Sequence, residues 1–180
     1  MDAATTAAPP NGERSKQQQQ QQQQQHQHQK PAQLSFPLPR APNARVNLHL
    51  TVHPTSLLLF VTTTSPEHDA GVAAPVGSFV YAMPNRTTTT NPATAQPLST
   101  ALYPQTPTLD LATRLAKILA RRTARPTYVG NSTSFSSAGA GGNVEEEMEG
   151  LARVVEVVVE EVRRVDEAAA AGVGAAAAGA

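Results

Sequence analysis

Five basic residues cluster in the stretch "TLDLATRLAKILARRTARP", which runs from position 108 to position 126. Cations at this density can bind the phosphates of a nucleic acid or the carboxylates of an acidic protein surface. They can also form only the solvated face of an amphipathic helix, because Lys and Arg in the last turns interact favourably with the helix dipole. The candidate partner-binding residues are Arg114, Lys117, Arg121, Arg122 and Arg125.

No other set of residues has the spacing of a catalytic or metal site. His26 and His28 lie in a glutamine-rich stretch, and His49 and His53 lack a third ligand nearby. The chain has no cysteine, so it has no thiolate nucleophile and no cysteine-ligated metal. The segment "GVAAPVGS" has no lysine after its second glycine, as a phosphate-binding loop requires. The sequence therefore predicts no catalytic residue, no metal site and no cofactor, and the protein is interpreted as not an enzyme.

Composition divides the chain into three segments. Residues 1–45 combine a glutamine tract with six prolines, offer few apolar side chains to bury, and are predicted to be a disordered arm. Residues 46–165 are long enough for a single hydrophobic core. Residues 166–180 are rich in alanine and glycine and are predicted to be a second disordered tail. Deletion of residues 1–44 is accordingly expected to leave folding intact.

Alternating apolar and polar residues predict the strands. Val46 to Val52 have a period of two, and the turn "HPTS" leads into "SLLLFVTTT", a continuous apolar run whose two faces are both expected to be covered. "VGSFVYAMP" is predicted as a third strand. "PLSTALYPQ", between Pro97 and Pro104, is predicted as a fourth strand at a sheet edge. "PTYVGNS" follows the basic helix as a fifth.

Two helices are predicted. The basic helix spans residues 108–124, with Thr108 as its N-cap and Pro126 ending it. Its buried stripe consists of Leu111, Leu115, Ile118 and Leu119. The second helix begins after Asn143 and carries an apolar seam with alternating spacings of four and three, namely Val144, Met148, Leu151, Val155, Val158, Val162 and Val165. The order ββββαβα predicts an α+β domain, with a mostly antiparallel sheet of five to six strands and two helices packed on it.

The charge distribution favours a protein partner over a nucleic acid. The formal net charge is zero, and nine of the fourteen acidic residues lie between Glu145 and Glu167 in the last helix. One helix is therefore basic and the other acidic, which suits a protein surface with complementary charge. No base-stacking aromatic residues flank the cations. Two alternatives stay open: a nucleic-acid-binding module that uses helix 108–124, and an adaptor whose last helix forms a coiled coil.

The motifs resemble those of the proteasome assembly chaperone 4 family. "PLSTAL", from Pro97, is similar to that family's short strand with the pattern P-x-S-T-x-L. Ala112 to Thr123 matches its helix pattern A-x-R-L-A-x-x-L-A-R-[RK]-T, and Tyr128 with Val129 matches the aromatic and valine pair that opens its next strand. "VEEEMEGL", from Val144, is similar to its acidic C-terminal helix, and "LHLTVHPTSLLLFV" to its opening strands. The resemblance covers residues 46–162.

The resemblance implies a non-catalytic chaperone. Members of that family pair with a related small protein, proteasome assembly chaperone 3. The heterodimer binds α-subunits of the 20S proteasome, notably the α5-type subunit, and promotes ordering of the α-ring. We expect a cytoplasmic or nuclear location and no membrane partner, because the N-terminus lacks a signal-peptide pattern and "LLLFV" is too short to span a bilayer.

Overall fold

The computed structural model describes residues 30–38, 44–64, 75–85, 95–133 and 144–177. Except for Lys30, these residues belong to the unit Pro31–Ala180. The elements are β1 (Ala32–Pro37), β2 (Arg45–Val52), β3 (Leu57–Thr64), β4 (Ser78–Met83), β5 (Leu98–Tyr103), α1 (Thr106–Thr123), β6 (Thr127–Ser132) and α2 (Val144–Ala177). The predicted α+β class is confirmed. The structure has one strand more than the five located in the sequence, namely β1 at the N-terminal side.

The six strands form one sheet in the order β1-β2-β3-β6-β4-β5. Neighbouring strands are antiparallel except β3 and β6, which are parallel. The sheet is thus mostly antiparallel, and β5 lies at an edge, as predicted. The strand that comes last in the chain, β6, lies in the interior of the sheet between β3 and β4.

Both helices contribute to one hydrophobic core on a single face of the sheet. Inward-facing residues of β2, β3, β4 and β6 belong to the same buried cluster as Leu111, Leu115 and Leu119 of α1 and Val158 of α2. The opposite face has no covering layer among the described residues. On β3, Leu57, Leu59 and Val61 are buried, whereas Leu58 and Phe60 on the other face are only half-buried. The expectation that both faces of this strand are covered is therefore wrong for the described chain.

Strand β1 lies inside the segment that the sequence analysis assigned to a disordered arm. Ala32, Leu34 and Phe36 pack against the core, and Leu38 just after the strand is only 1% exposed. The amide of Leu38 donates a hydrogen bond to the carbonyl of Ala44 at 3.0 Å. Proline is tolerated here because β1 is an edge strand and Pro37 is its last residue. The structure corrects the predicted arm at this point, and residues 1–29 lie outside the described part.

Helix α1 begins earlier than predicted. Its N-cap is Gln105, and Pro107 occupies the first turn, where a missing amide proton costs nothing. Thr108 is inside the helix and is not the cap. Its hydroxyl lies 2.8 Å from the hydroxyl of buried Ser78 and accepts a hydrogen bond from the Ser78 amide at 3.0 Å. The side-chain amide of buried Asn131 donates to the Thr108 carbonyl at 3.2 Å, so the start of α1 is tied to both β4 and β6.

Helix α2 uses its apolar seam within the chain. Val155, Val158 and Val162 are buried, and the helix contacts α1 and β2, whereas Met148 at the N-terminal end is 61% exposed. The seam is therefore not free to form a coiled coil, which weakens that alternative. The helix also continues to Ala177, well past the predicted end at 165. Alanine is the strongest helix former, so the residues interpreted as a disordered tail extend the helix, a second correction. Asn143 lies outside the described residues.

Within the described ranges, neither helix combines the length and the apolarity that crossing a bilayer requires.

Candidate protein-interaction surfaces

The face of the sheet opposite the helices, here called the open face, carries a row of aromatic rings. Phe60 of β3 stacks on Phe79 of β4, with ring centroids 6.0 Å apart and planes 6° apart. Tyr128 of β6 lies 6.2 Å from Phe79 and 4.8 Å from Tyr81. His49 meets Phe60 edge-on at 6.4 Å. All five rings are half-buried, so the row is partly accessible at the surface.

A glycine makes this row continuous. Gly130 of β6 lies between Phe60 and Phe79 in the register of the sheet. A β-carbon at Gly130 would approach Cδ1 of Phe60 to 2.4 Å, which no real side chain tolerates. The absence of a side chain lets the two rings meet above β6 and cover its backbone, and Gly130 itself is buried. Sequence analysis missed this role, because nothing along the chain shows which rings flank the glycine.

The open face becomes polar towards β1. A groove of about 420 Å³ lies there, and its polar lining includes Gln33, Ser35, Asn47, His49 and Thr62, with the ring of Phe60 at its inner end. The open face therefore joins an aromatic half over β3, β6 and β4 to a hydrogen-bonding half over β1 and β2. Such mixed character is common in interfaces between separately folded proteins.

Exposed apolar side chains concentrate beside β4 and β5. Leu102 is an extra residue in β5, inserted between the pairs Phe79↔Tyr103 and Val80↔Ala101, so it forms a bulge. Strand β5 contains no charged residue, although it is an edge. The large hydrophobic residues exposed in this region are Val76, Met83, Leu98, Leu102 and Tyr103.

The structure does not bring the five candidate basic residues together as one binding set. Arg114 pairs with Asp110 one turn earlier, at 2.6 Å. Arg125 binds both carboxylate oxygens of Asp166 on α2, at 2.9 and 3.1 Å. Of the five candidates, three have no ion pair in the described part of the chain: Lys117, Arg121 and Arg122. Of these, Arg121 and Arg122 are exposed on the last turn of α1, and Lys117 is half-buried.

The acidic charge of α2 is partly compensated by arginines on the same helix. Arg153 pairs with Glu156, and Arg163 pairs with Glu160, each at 2.6 Å. Arg164 pairs with Glu161 at the same distance, and this hydrogen bonding lowers the pKa of the Glu161 carboxyl below its ordinary value. Nine acidic residues against three arginines leave α2 with an acidic excess, so the interpretation of the two helices as oppositely charged is kept.

A second groove lies at the end of the sheet beside the C-terminus of α1. The helix ends at Ala124, which has φ 54° and ψ 25°, in the left-handed region. This bend brings Arg125 and Pro126 into the wall of a groove of about 870 Å³. The remaining walls come from the turn after β2, the end of β4 and the start of β5. Sequence analysis missed this groove because its walls come from four separate segments.

Histidine and carboxylate side chains do not assemble into a metal site in the described ranges, where no group of three or more is suitably placed. His49 lies on the open face in β2, and His53 is exposed in the turn that follows.

One sheet, covered by helices on one face and with an aromatic open face, defines a small α+β domain. The comparison with known families specifies this class. Residues 45–133 match the family model described as "Proteasome assembly chaperone 4". This segment runs from β2 to β6, and its match confirms the family resemblance predicted from the sequence motifs.

A solved structure described as "Crystal Structure of a Novel Chaperone Complex for Yeast 20S Proteasome Assembly" is also similar. The sequence identity is 16%, and the TM-score is 0.41. The alignment covers 77% of this chain and 97% of that chain. No match was found among curated proteins.

Proposed function

We propose that this protein is a non-catalytic chaperone of 20S proteasome assembly. In this proposal it pairs with a related small protein similar to proteasome assembly chaperone 3, and the pair binds proteasome α-subunits, notably the α5-type subunit, in the cytoplasm or nucleus. The family match over residues 45–133 supports the chaperone class. The observation that supports the pairing is the open face of the sheet, with its row of half-buried aromatic rings.

An antiparallel sheet can leave one face in water, but that face is then usually polar. Here Leu58, Phe60, Phe79 and Tyr81 occupy it instead. Aromatic residues are enriched at interfaces, because they bury a large area and lose little side-chain entropy. A second sheet could pack on this face at the roughly 10 Å spacing of sheet-on-sheet contacts.

The open face is comparable in size with one side of such a contact. Six strands about 4.8 Å apart and six to eight residues long give a face of roughly 24 by 20 Å. This is of the same order as the roughly 800 Å² that each partner buries in an interface of standard size. A related α+β chain with its own open face is the partner that fits this shape, because it can bury both faces at once.

Tyr81→Asp is expected to weaken binding to the proteasome assembly chaperone 3-like partner by about a hundredfold or more. Tyr81 is half-buried in the free chain, so the carboxylate stays hydrated there, but in the complex it becomes buried without a counter-charge. Binding of purified full-length chains by isothermal titration calorimetry measures the effect, and circular dichroism checks folding.

The matched control is Ala152→Asp, which adds the same charge at an exposed position of α2. We expect it to bind like the wild type. A folded Tyr81→Asp variant with wild-type affinity would show that the partner does not use the open face. Wild-type protein that binds neither the sister chaperone nor an α-subunit at micromolar concentration would contradict the chaperone function itself.

Reversing two exposed charges on α1 separates a protein partner from a nucleic acid. The double variant Arg121→Glu with Arg122→Glu is expected to fold like the wild type, since exposed charges contribute little to stability. Its association with the α-subunit or the sister chaperone is expected to slow by about tenfold at low ionic strength and to lose most of its salt dependence. Association rates at low and high salt measure this.

The same variant is assayed against duplex DNA and duplex RNA. Nucleic-acid binding by the wild type that falls steeply with salt, is lost on reversal, and is accompanied by unchanged protein binding would favour the nucleic-acid module.

A further inference from the structure

We propose that the groove beside the C-terminus of α1 binds an acidic protein segment anchored by apolar side chains. The inference concerns the groove at the end of the sheet, which adjoins the open face through Met83 of β4. It rests on the proposed function only for the identity of the protein that supplies the segment, an α-subunit of the proteasome. The chemistry of the segment follows from the walls of the groove and from the charges around it.

The walls of the groove are mainly apolar. Met83 and Leu98, two of the exposed hydrophobic residues, face each other as neighbours in the β4–β5 pair and both line it. Pro54, Pro84 and Pro126 complete the apolar lining. A groove of about 870 Å³ lies within the range of natural ligand sites and can hold two or three side chains of a peptide. The bound segment is therefore expected to carry apolar side chains that fill the groove.

The charged part of the lining is a single arginine. Arg125 is the one ionisable residue among the side chains that line the groove, and no carboxylate is among them. Its Nη2 binds Asp166, whereas its Nη1 is buried and has no hydrogen-bond partner in the described part of the chain. Arg125 is therefore already paired with Asp166, and the attraction for an acidic ligand has to come from the unpaired cations next to it in the sequence.

Two more cations precede Arg125 closely in the sequence. Arg121 and Arg122 are exposed in the last turn of α1, and the described residues offer neither of them an ion pair. They directly precede Thr123, Ala124 and Arg125, which line the groove, so they give this end of α1 a local positive potential. The segment that fits an apolar groove beside these cations carries carboxylates next to its apolar side chains.

The backbone at this point is unusual. Ala124 is the single residue other than glycine with a positive φ in the described chain, at 54°. Glycine is the usual residue at such a helix end, because alanine pays a steric penalty there. Alanine restricts the backbone more than glycine does, so it holds Arg125 in the groove wall with less freedom.

The absence of cysteine allows a probe that reports on this groove alone. Thr55 is exposed and lines the groove, so Thr55→Cys creates the single thiol of the full-length chain. This thiol is labelled with an environment-sensitive fluorophore. The ligands are a hexapeptide of alternating glutamate and leucine and its counterpart with glutamine in place of glutamate. Ala152→Cys, labelled in the same way on the exposed face of α2, is the control for non-specific binding.

We expect the acidic peptide to change the emission at position 55 and to bind at least tenfold more tightly than the glutamine peptide. Leu98→Ser should weaken this binding at least fivefold through the apolar anchor. The double variant Arg121→Glu with Arg122→Glu should weaken it at least tenfold through the charge. Leu98 is 61% exposed, so the serine variant is expected to fold normally. The label at position 152 should not respond.

Equal affinity for the two peptides would overturn the inference, since charge would then play no part. An acidic preference that Leu98→Ser leaves unchanged would overturn it too, because the attraction would be only electrostatic. The same holds if duplex DNA changes the emission and the acidic peptide does not, or if no change occurs up to millimolar peptide. Binding of the sister chaperone to the same labelled protein is measured in parallel, so a failure of the groove is distinguishable from a failure of the proposed function.

Discussion

Removal of residues 1–43 is expected to lower the free energy of unfolding by about 5 kcal/mol, whereas removal of residues 1–29 is expected to leave it nearly unchanged. The longer deletion removes β1, which pairs with β2 along its whole length, and Leu38, which is 1% exposed. Full burial of a leucine or phenylalanine contributes roughly 1.5–3 kcal/mol, and Leu34 and Phe36 add part of that amount. The summed contribution of Leu34, Phe36 and Leu38 is comparable with the total free energy of unfolding of many domains.

Urea denaturation of the two truncated proteins and the full chain measures this difference. The comparison requires that the free energy of unfolding falls with urea concentration at the same slope in all three proteins. The shorter truncation is the control, because it keeps every strand. Equal urea midpoints for the two truncated proteins would show that β1 contributes nothing to the fold. That result would restore the original expectation that the whole segment is dispensable.

Leu115→Ala is expected to cost roughly 2–5 kcal/mol, the usual range for truncating a fully buried leucine. Leu115 is 2% exposed and belongs to the core that α1 shares with the sheet. The matched control is Ile118→Ala on the same helix. Ile118 is only partly buried, so its truncation should cost clearly less, on the order of 1 kcal/mol.

Thermal or urea unfolding of both variants, followed by circular dichroism, checks the prediction. Equal losses of unfolding free energy for Leu115→Ala and Ile118→Ala would mean that α1 is rotated relative to the arrangement described above. A loss below about 1 kcal/mol at Leu115 would mean that α1 is not packed on the sheet through this residue.

The local features of the fold were predictable from short-range patterns. Leu111, Leu115 and Leu119 recur every four residues, and this period places them on one helical stripe whatever the helix packs against. Pro97 and Pro104 bound β5, and proline is tolerated at sheet edges, so the edge position could also be predicted. The family motif lies in this same region, which explains why the family was identified correctly.

Strand β1 was missed because its existence depends on a partner. Six residues such as "AQLSFP" have no stability as an isolated strand and extend only because β2 offers them a register of six pairs. Prolines and glutamines dominate the composition of residues 1–45, so the whole segment was predicted to be disordered. The N-cap of α1 was misplaced for a related reason: the hydroxyl of Thr108 bonds Ser78, thirty residues away, instead of capping its own helix.

The aromatic row on the open face depends on the order of the strands. The run "SLLLFV" was interpreted as a strand covered on both faces, which its composition alone favours. Only the position of β6 between β3 and β4 brings Phe60 and Phe79 to either side of Gly130. The two rings are nineteen residues apart, and the glycine that separates them follows much later in the chain.

The sequence by itself determined the family, the α+β class, the periodic faces of the helices and strands, and the cluster of cations before Pro126. These features depend on residue types a few positions apart, where backbone geometry sets the spacing. The tertiary structure decided which cations are neutralised, since Arg125 finds Asp166 forty-one residues away. It also decided where the groove and the open face lie. Contacts of this kind depend on how distant elements pack, and local periodicity does not specify that packing.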